Sequence, residues 1–362
     1  MMNLLLPDTR PYPTDPVKNE LLLYASQIAH QSTGRSLATE QLRSKINEML
    51  AQNFYLGLSV AMSMAADAPT YTALMDALTD VLNAKNETEI QWFALPVVVV
   101  AGSKQAKQLH TSAPTAELAA CLANYPHTRP LSRAQWLPQL IRAQDFAEIT
   151  ADQWYAAKQN LQAAEQFAAS LPSTALPIPA DQSVHVLYAL GYGEPNVQNA
   201  LGQNLREAAL PLMQVWQENL ATQGVTLFTN PLAPNAPIAA LADANHTRLR
   251  MALDVFAANA IRAIRLQSPR VGVVMAAQAG GRLLFGFSAA EAAYGLQPQV
   301  FTWTLSPREN IGVVQQNFLD LMVDCQVEQI YQLNEALDDG AELPSFAEAQ
   351  KLSGFNPLFQ AA

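Results

Sequence analysis

Six of the fourteen arginines in this chain lie between positions 248 and 282: Arg248, Arg250, Arg262, Arg265, Arg270 and Arg282. Asp254 is the one acid among them. At 100° per residue, the first four fall within one arc of roughly 160° on a helix, with Leu249, Leu253, Phe256 and Ile264 opposite. Such a helix buries one side and offers guanidinium groups on the other. Arginine rather than lysine suits planar, bidentate partners such as carboxylate or phosphate. These six residues are the candidate partner-binding or anion-binding face.

A second charged segment follows. Glu309 to Glu348 holds nine acids and no Lys or Arg. Asp320, Asp324 and Glu328 recur at four-residue spacing, and Glu335 lies near that stripe on a helix. The plainest expectation is that the arginine face and the carboxylate face neutralise each other within the chain. An external acidic protein surface, self-association or a small anion is the alternative use. A metal on the acidic stripe is disfavoured, because no Glu is followed by His three residues on, as carboxylate di-metal helices usually require.

Other chemistry is thinner. Gly102-Ser103-Lys104 follows the Val97–Val100 run and invites a phosphate-loop reading, but the first glycine of that motif is missing. Gly191-Tyr192-Gly193-Glu194-Pro195 has two glycines of a dinucleotide fingerprint, and Asn196 stands where the third belongs. A tight turn is the simpler reading. Cys121 and Cys325 are far apart and read as packing thiols in a reducing compartment. His30, His110, His127, His185 and His246 show no metal-ligand spacing, and His185 falls inside an expected strand. Neither a GxSxG elbow nor an HExxH helix occurs. No catalytic residue, cofactor site or metal site is assigned.

The elements that must position these groups follow from periodicity. The 362 residues suffice for two domains with a large core. Charged residues make up 14 %, against roughly 25 % in typical domains. The chain holds 51 Gln and Asn, so the surface is polar largely through neutral amides. The net charge of −10 argues against wholesale coating of nucleic acid, which remains a third reading through the arginine helix alone. No signal peptide or membrane-length apolar run is read, so the expectation is a cytoplasmic, soluble chain.

The expected fold class is α+β: an N-terminal helical bundle, then a mixed α/β region with antiparallel strands, in two halves that could be related. Residues 1–17 read as an arm, 18–90 as helical, 91–171 as a first α/β region and 172–182 as a Pro-rich linker. Residues 183–340 read as a second α+β domain and 341–362 as a tail. Within the second half, helices are expected over 198–223, 243–267 with Asp243 as N-cap, and 309–337 opened by a Ser306/Glu309 capping box. Strands are expected over 184–190, 225–228, 271–277, 283–287 and 300–305, with Gly280-Gly281 as a hairpin turn.

The order of several short pieces resembles an uncharacterised family of proteobacterial proteins. The pieces are Pro69-Thr70-Tyr71 with Leu74-Met75-Asp76-Ala77-Leu78, and Leu95-Pro96-Val97-Val98. Leu284-Phe285-Gly286-Phe287-Ser288, Thr302-Trp303-Thr304-Leu305 and the helix from Glu309 complete them. The resemblance implies a bacterial cytosolic protein and transfers no catalytic residue. The functional expectation is a non-catalytic interaction or scaffold protein. The alternative is an enzyme or binder of a small anion in a cleft between the halves.

Overall fold

The computed structural model describes residues 16–360 apart from 32, 53, 83, 85–89, 104–106, 110–111, 173–174, 180, 204, 206, 222–225, 292–296, 307–308, 328 and 353–354. The class is α+β, with helices and sheets whose pairs are antiparallel except one. Chain contacts divide the described residues into two units, one within residues 16–64 and 73–250, the other within residues 65–72 and 251–360. The segment 172–182, expected to separate domains, lies inside the larger unit. There Leu176–Ile178 is a strand paired with Lys107–Leu109.

In the larger unit, helices α1 (Pro16–His30), α2 (Arg35–Ala51) and α3 (Tyr55–Ser63) pack on one another, and α4 (Ala68–Leu82) crosses the partition. The sheet uses β1 (Gln91–Ser103), then β2 (Lys107–Leu109), α5 (Thr115–Ala123) and β3 (Gln135–Arg142) follow. Next come α6 (Ala143–Ala147), α7 (Ala151–Ala157), α8 (Leu161–Ser170), β4 (Leu176–Ile178) and β5 (Asp181–Gly193). Helix α9 (Ala209–Ala221) and β6 (Thr226–Pro231) close it, in antiparallel order β3-β5-β1-β6.

Alternation sets the two faces of β1. Phe93, Leu95, Val97, Val99 and Ala101 join a core with Leu118, Leu122, Leu212 and Trp216 from α5 and α9. Trp92, in register with Tyr192, sits in an aromatic cluster with Trp154 and Phe167.

Two prolines occupy strands for specific reasons. Pro138 lies in β3, an edge strand, where the register with β5 shifts between Trp136 and Leu140. Pro96 lies in the central β1, but the β6 ladder begins only at Val97, and Pro96 needs only to accept, which it does from the Leu232 amide at 2.9 Å. Pro138 therefore does not exclude a strand over Gln135–Arg142. The expected helix 198–223 is a 3-10 turn over Pro195–Ala200 followed by α9.

Helix α10 (Pro237–Arg265) contains the partition at 250/251. The smaller unit continues with β7 (Val271–Gln278), β8 (Arg282–Ala289), β9 (Gln299–Thr304), α11 (Ile311–Asp324), β10 (Gln329–Leu333), α12 (Phe346–Ala349) and β11 (Phe355–Gln360). Its sheet order is β11-β10-β7-β8-β9, with β10 parallel to β7 and the other pairs antiparallel. The β7–β8 hairpin turns through Gly280 and Gly281, both at positive φ (83° and 72°), as the glycine pair predicted. The two sheets differ in strand order, and β7 has a parallel neighbour where β1 has none.

The C-terminal segment is structural, not a tail. Leu343, Phe346 and Ala349 are buried against Val274, Ala276, Leu284 and Tyr331. Gly272 and Gly286 leave the room for them: a Cβ on Gly272 would lie 2.3 Å from Phe346 Cγ, and one on Gly286 would lie 2.4 Å from Leu343 Cδ2. The Phe346 amide donates to buried Ser288 Oγ at 2.9 Å. On the opposite face Phe285 stacks on Phe318 of α11 at 4.1 Å.

Candidate functional site

Helix α10 begins at Pro237, a favoured first helical position, so Asp243 is inside the helix and not its cap. Its carboxylate instead accepts from Asn235 Nδ2 at 3.2 Å. Leu253 and Ile264 are buried as the periodicity predicted, while Leu249 and Phe256 are half-buried. Arg250, Arg262 and Arg265 are exposed and Arg248 is half-buried.

The carboxylate stripe expected to neutralise them does not form as a stripe. Helix α11 ends at Asp324, where the sequence reading continued it to 337. Its N-cap is Asn310, whose side chain accepts from the Gly312 amide at 2.8 Å; Glu309 accepts from the Ser306 amide just before the helix. Cys325 and Gln326 stop it, with Gln326 at φ 55°. The chain then enters β10, whose Ile330 and Tyr331 are buried against the sheet. Asp320 accepts from Gln316, Glu335 follows β10 outside any helix, and Glu328 lies outside the described residues.

Within the smaller unit the arginines separate by role. Arg265 Nη2 donates to the carbonyls of Cys325 and Gln326, each at 3.0 Å. A guanidinium there satisfies carbonyls left open at a helix end and meets the negative end of its dipole. Arg282 pairs with Asp339 at 2.6 Å. Arg270 is exposed. Arg262 donates a long bond to Asn259 Oδ1 at 3.4 Å. Arg262 and Arg265 both line an open crevice of about 460 Å³, together with Leu266, Asp324, Cys325 and Gln326. Leu266 is 83 % exposed. The Cys325 thiol is pushed up chiefly by burial, with Arg265 acting against that, so it stays protonated and a weak nucleophile.

In the larger unit Arg248 donates to Asn245 Oδ1 at 3.2 Å. Its charge also acts on two residues that sequence reasoning did not connect to it, His185 and Tyr188. His185 Nε2 lies 2.7 Å from Ser183 Oγ. Positions 183 and 185 of a strand share a face, which is the signal that could have found the pair. Burial first, then Arg248, lowers the imidazole pKa, so the ring is neutral near pH 7. A hydroxyl beside a neutral imidazole is half of a nucleophile–base unit. Among the described residues no carboxylate hydrogen-bonds the other ring nitrogen to orient it. Tyr188 stacks on Phe146 at 4.1 Å, and burial raises its phenol pKa.

His185 gives a pH expectation. The folded chain holds its imidazole below the ordinary 6.5, so the unfolded chain binds more protons in that range. Stability is complete above the ordinary value and falls as pH drops through it toward the lower folded value. Urea midpoints at about pH 7.5 and about pH 5.5 should drop less for His185→Gln than for the unaltered chain. Equal drops would assign the effect to other groups.

The two loop motifs are resolved as packing. Gly102 and Ser103 lie within β1, paired with Gln182 and Asp181, and Lys104 is outside the described residues. Gly191 and Gly193 lie within β5, not in a turn. A Cβ on Gly191 would lie 2.4 Å from Phe93 Cζ, so its absence admits the Phe93 ring, which also meets Trp136 edge-on. Cys121 is buried in the α5 core. Among the described residues no group of His, Cys, Asp and Glu could hold a metal ion. No described helix is long and apolar enough to cross a membrane. Lys158, only 4 % exposed, donates to the Val81 carbonyl at 2.9 Å beside a cavity of about 20 Å³, room for one water.

Comparisons with protein-family models, with curated proteins and with solved structures find no match.

Proposed function

We propose that this chain is a non-catalytic interaction protein of the bacterial cytosol that binds an acidic protein segment in the crevice beside Arg262 and Arg265. The observation that carries this reading is Arg262, an exposed guanidinium on the wall of a 460 Å³ crevice whose described partner is an amide at 3.4 Å and not a carboxylate. Leu266 supplies an adjacent apolar contact. Asp324, in the same lining, chooses among ligands. Its charge repels a bare polyanion, whereas a peptide can set a carboxylate on Arg262 and an N–H on Asp324. That, with the net charge of −10, ranks nucleic acid last. The cytosolic placement rests on the family resemblance.

The test is a tagged pull-down from the native cell at low and high salt, with Arg262→Glu beside the unaltered chain. A stoichiometric partner should be retained at low salt, released at high salt and lost by at least tenfold in Arg262→Glu, with the melting temperature unchanged. Arg265 is left in place because its carbonyl bonds hold the end of α11. A partner retained equally by Arg262→Glu would remove the crevice from the interface.

The size of the crevice also suits a small ligand. A polycarboxylate that raises the melting temperature, with no protein captured at either salt, would favour that second reading.

A further inference from the structure

Strand β9 is one of the two outer strands of the five-stranded sheet, and no described strand lies on its free side. The Leu305 amide donates to the Gly281 carbonyl at 2.9 Å. In an antiparallel ladder this alternates, so Phe301 and Trp303 turn their backbone groups to β8, and Val300, Thr302 and Thr304 turn theirs outward. Natural edge strands are blunted by charge, proline, a bulge or shortness. β9 carries none of the first three: Gln299–Thr304 contains no charged residue and no proline, and its six pairs with β8 run without a register shift. The three outward residues are β-branched and exposed on a single face.

We infer that β9 pairs with β9 of a second copy, antiparallel about a two-fold axis at Thr302. Thr302 then faces its own counterpart, and Val300 faces Thr304 at either side. Each strand offers three outward N–H and three outward C=O groups in matching positions. The segment is its own complement: with no charge in it, the two-fold operation sets no like charges opposite each other. Every facing pair is β-branched, the kind that supports cross-strand contact. A two-fold, self-complementary contact is also the commonest way for identical chains to associate. The two sheets would become one continuous sheet.

Sedimentation velocity over a concentration series tests this on the full chain. The unaltered protein should dimerise, and Thr302→Pro and Thr302→Lys should be monomeric throughout. Proline removes only an outward N–H, so pairing with β8 survives; circular dichroism checks the fold, and Thr302→Lys decides if the proline variant unfolds. Thr302→Cys should give a covalent dimer under oxidising conditions that reductant reverses, with the oxidised unaltered chain as control. A monomer at every concentration overturns the inference, whether a foreign strand or another part of this chain covers the edge. So does a dimer that persists in Thr302→Lys or that Thr302→Cys does not cross-link.

Discussion

Phe346→Ala is expected to destabilise the protein by about 3–5 kcal/mol, the range for removing a buried phenylalanine. The ring is fully buried, touches Tyr331 at a centroid distance of 4.7 Å, and occupies the space above Gly272. Gly272→Ala is expected to cost about 1–3 kcal/mol by the opposite error, since the new methyl would fall 2.3 Å from Phe346 Cγ. The double variant carries the argument. With the ring gone, the methyl has room and fills part of the void, so the combined loss should fall short of the two single losses by about 1 kcal/mol or more. Urea midpoints of the four proteins give the cycle. Simple additivity would mean that glycine at 272 serves some other purpose than admitting Phe346.

Trp92→Ala is the second large effect. Trp92 is 4 % exposed and meets Tyr192, Phe167 and Trp154 at 4.7, 5.2 and 5.6 Å. Its indole N–H donates to the Ala157 carbonyl at 3.2 Å. Truncation should cost about 3–5 kcal/mol through the cavity alone. Trp92→Phe keeps an aromatic ring and leaves that carbonyl without this donor, so it should cost markedly less, on the order of 1–3 kcal/mol. Thermal unfolding separates them. Similar losses for both would put the weight on the hydrogen bond instead of on the rings.

Much of the fold could be read from periodicity because it is local. The four N-terminal helices, the Val97 strand, the α10 stripe and the glycine hairpin at 280–281 each carry their signal within a short window. What escaped depends on distant partners. Gly191 and Gly193 sit where a turn would be read until β1 is laid beside β5, where Phe93 takes the space over Gly191 and Val197 the space over Gly193. The 309–337 pattern reads as one helix because no glycine or proline falls between Val313 and Leu337 to end it, although Ile330 and Tyr331 lie off the apolar face of Val314, Phe318 and Met322. Their burial comes from pairing with β7, some 57 positions upstream, which no window contains. Residues 341–349 are acidic and Pro-containing, as tails often are, yet their anchors Leu343 and Phe346 are specified by glycines at 286 and 272.

The candidate site divides the same way. The exposure of Arg250, Arg262 and Arg265 follows from helical phase alone. Which of them is engaged does not: Arg265 holds carbonyls 60 and 61 positions away, and Arg282 holds Asp339. The Ser183–His185 contact needed only a period of two, but it became visible as chemistry once Arg248 was placed near it.

The parallel pairing of β10 with β7 sets an order of events during synthesis. β7, the middle strand of its sheet, pairs with β8 as soon as it emerges, and β9 then adds to β8, because hairpins close locally. Its other edge waits for Gln329–Leu333, made about fifty residues after Gln278. At translation rates of roughly 5–20 residues per second, that delay is on the order of several seconds. Throughout it, the open side of Val271–Gln278 is a template for wrong partners, and the apolar slot over Gly272 stays empty until Phe346 arrives. Newly made chains of this protein therefore carry a window of vulnerability to misassociation that the finished molecule does not display.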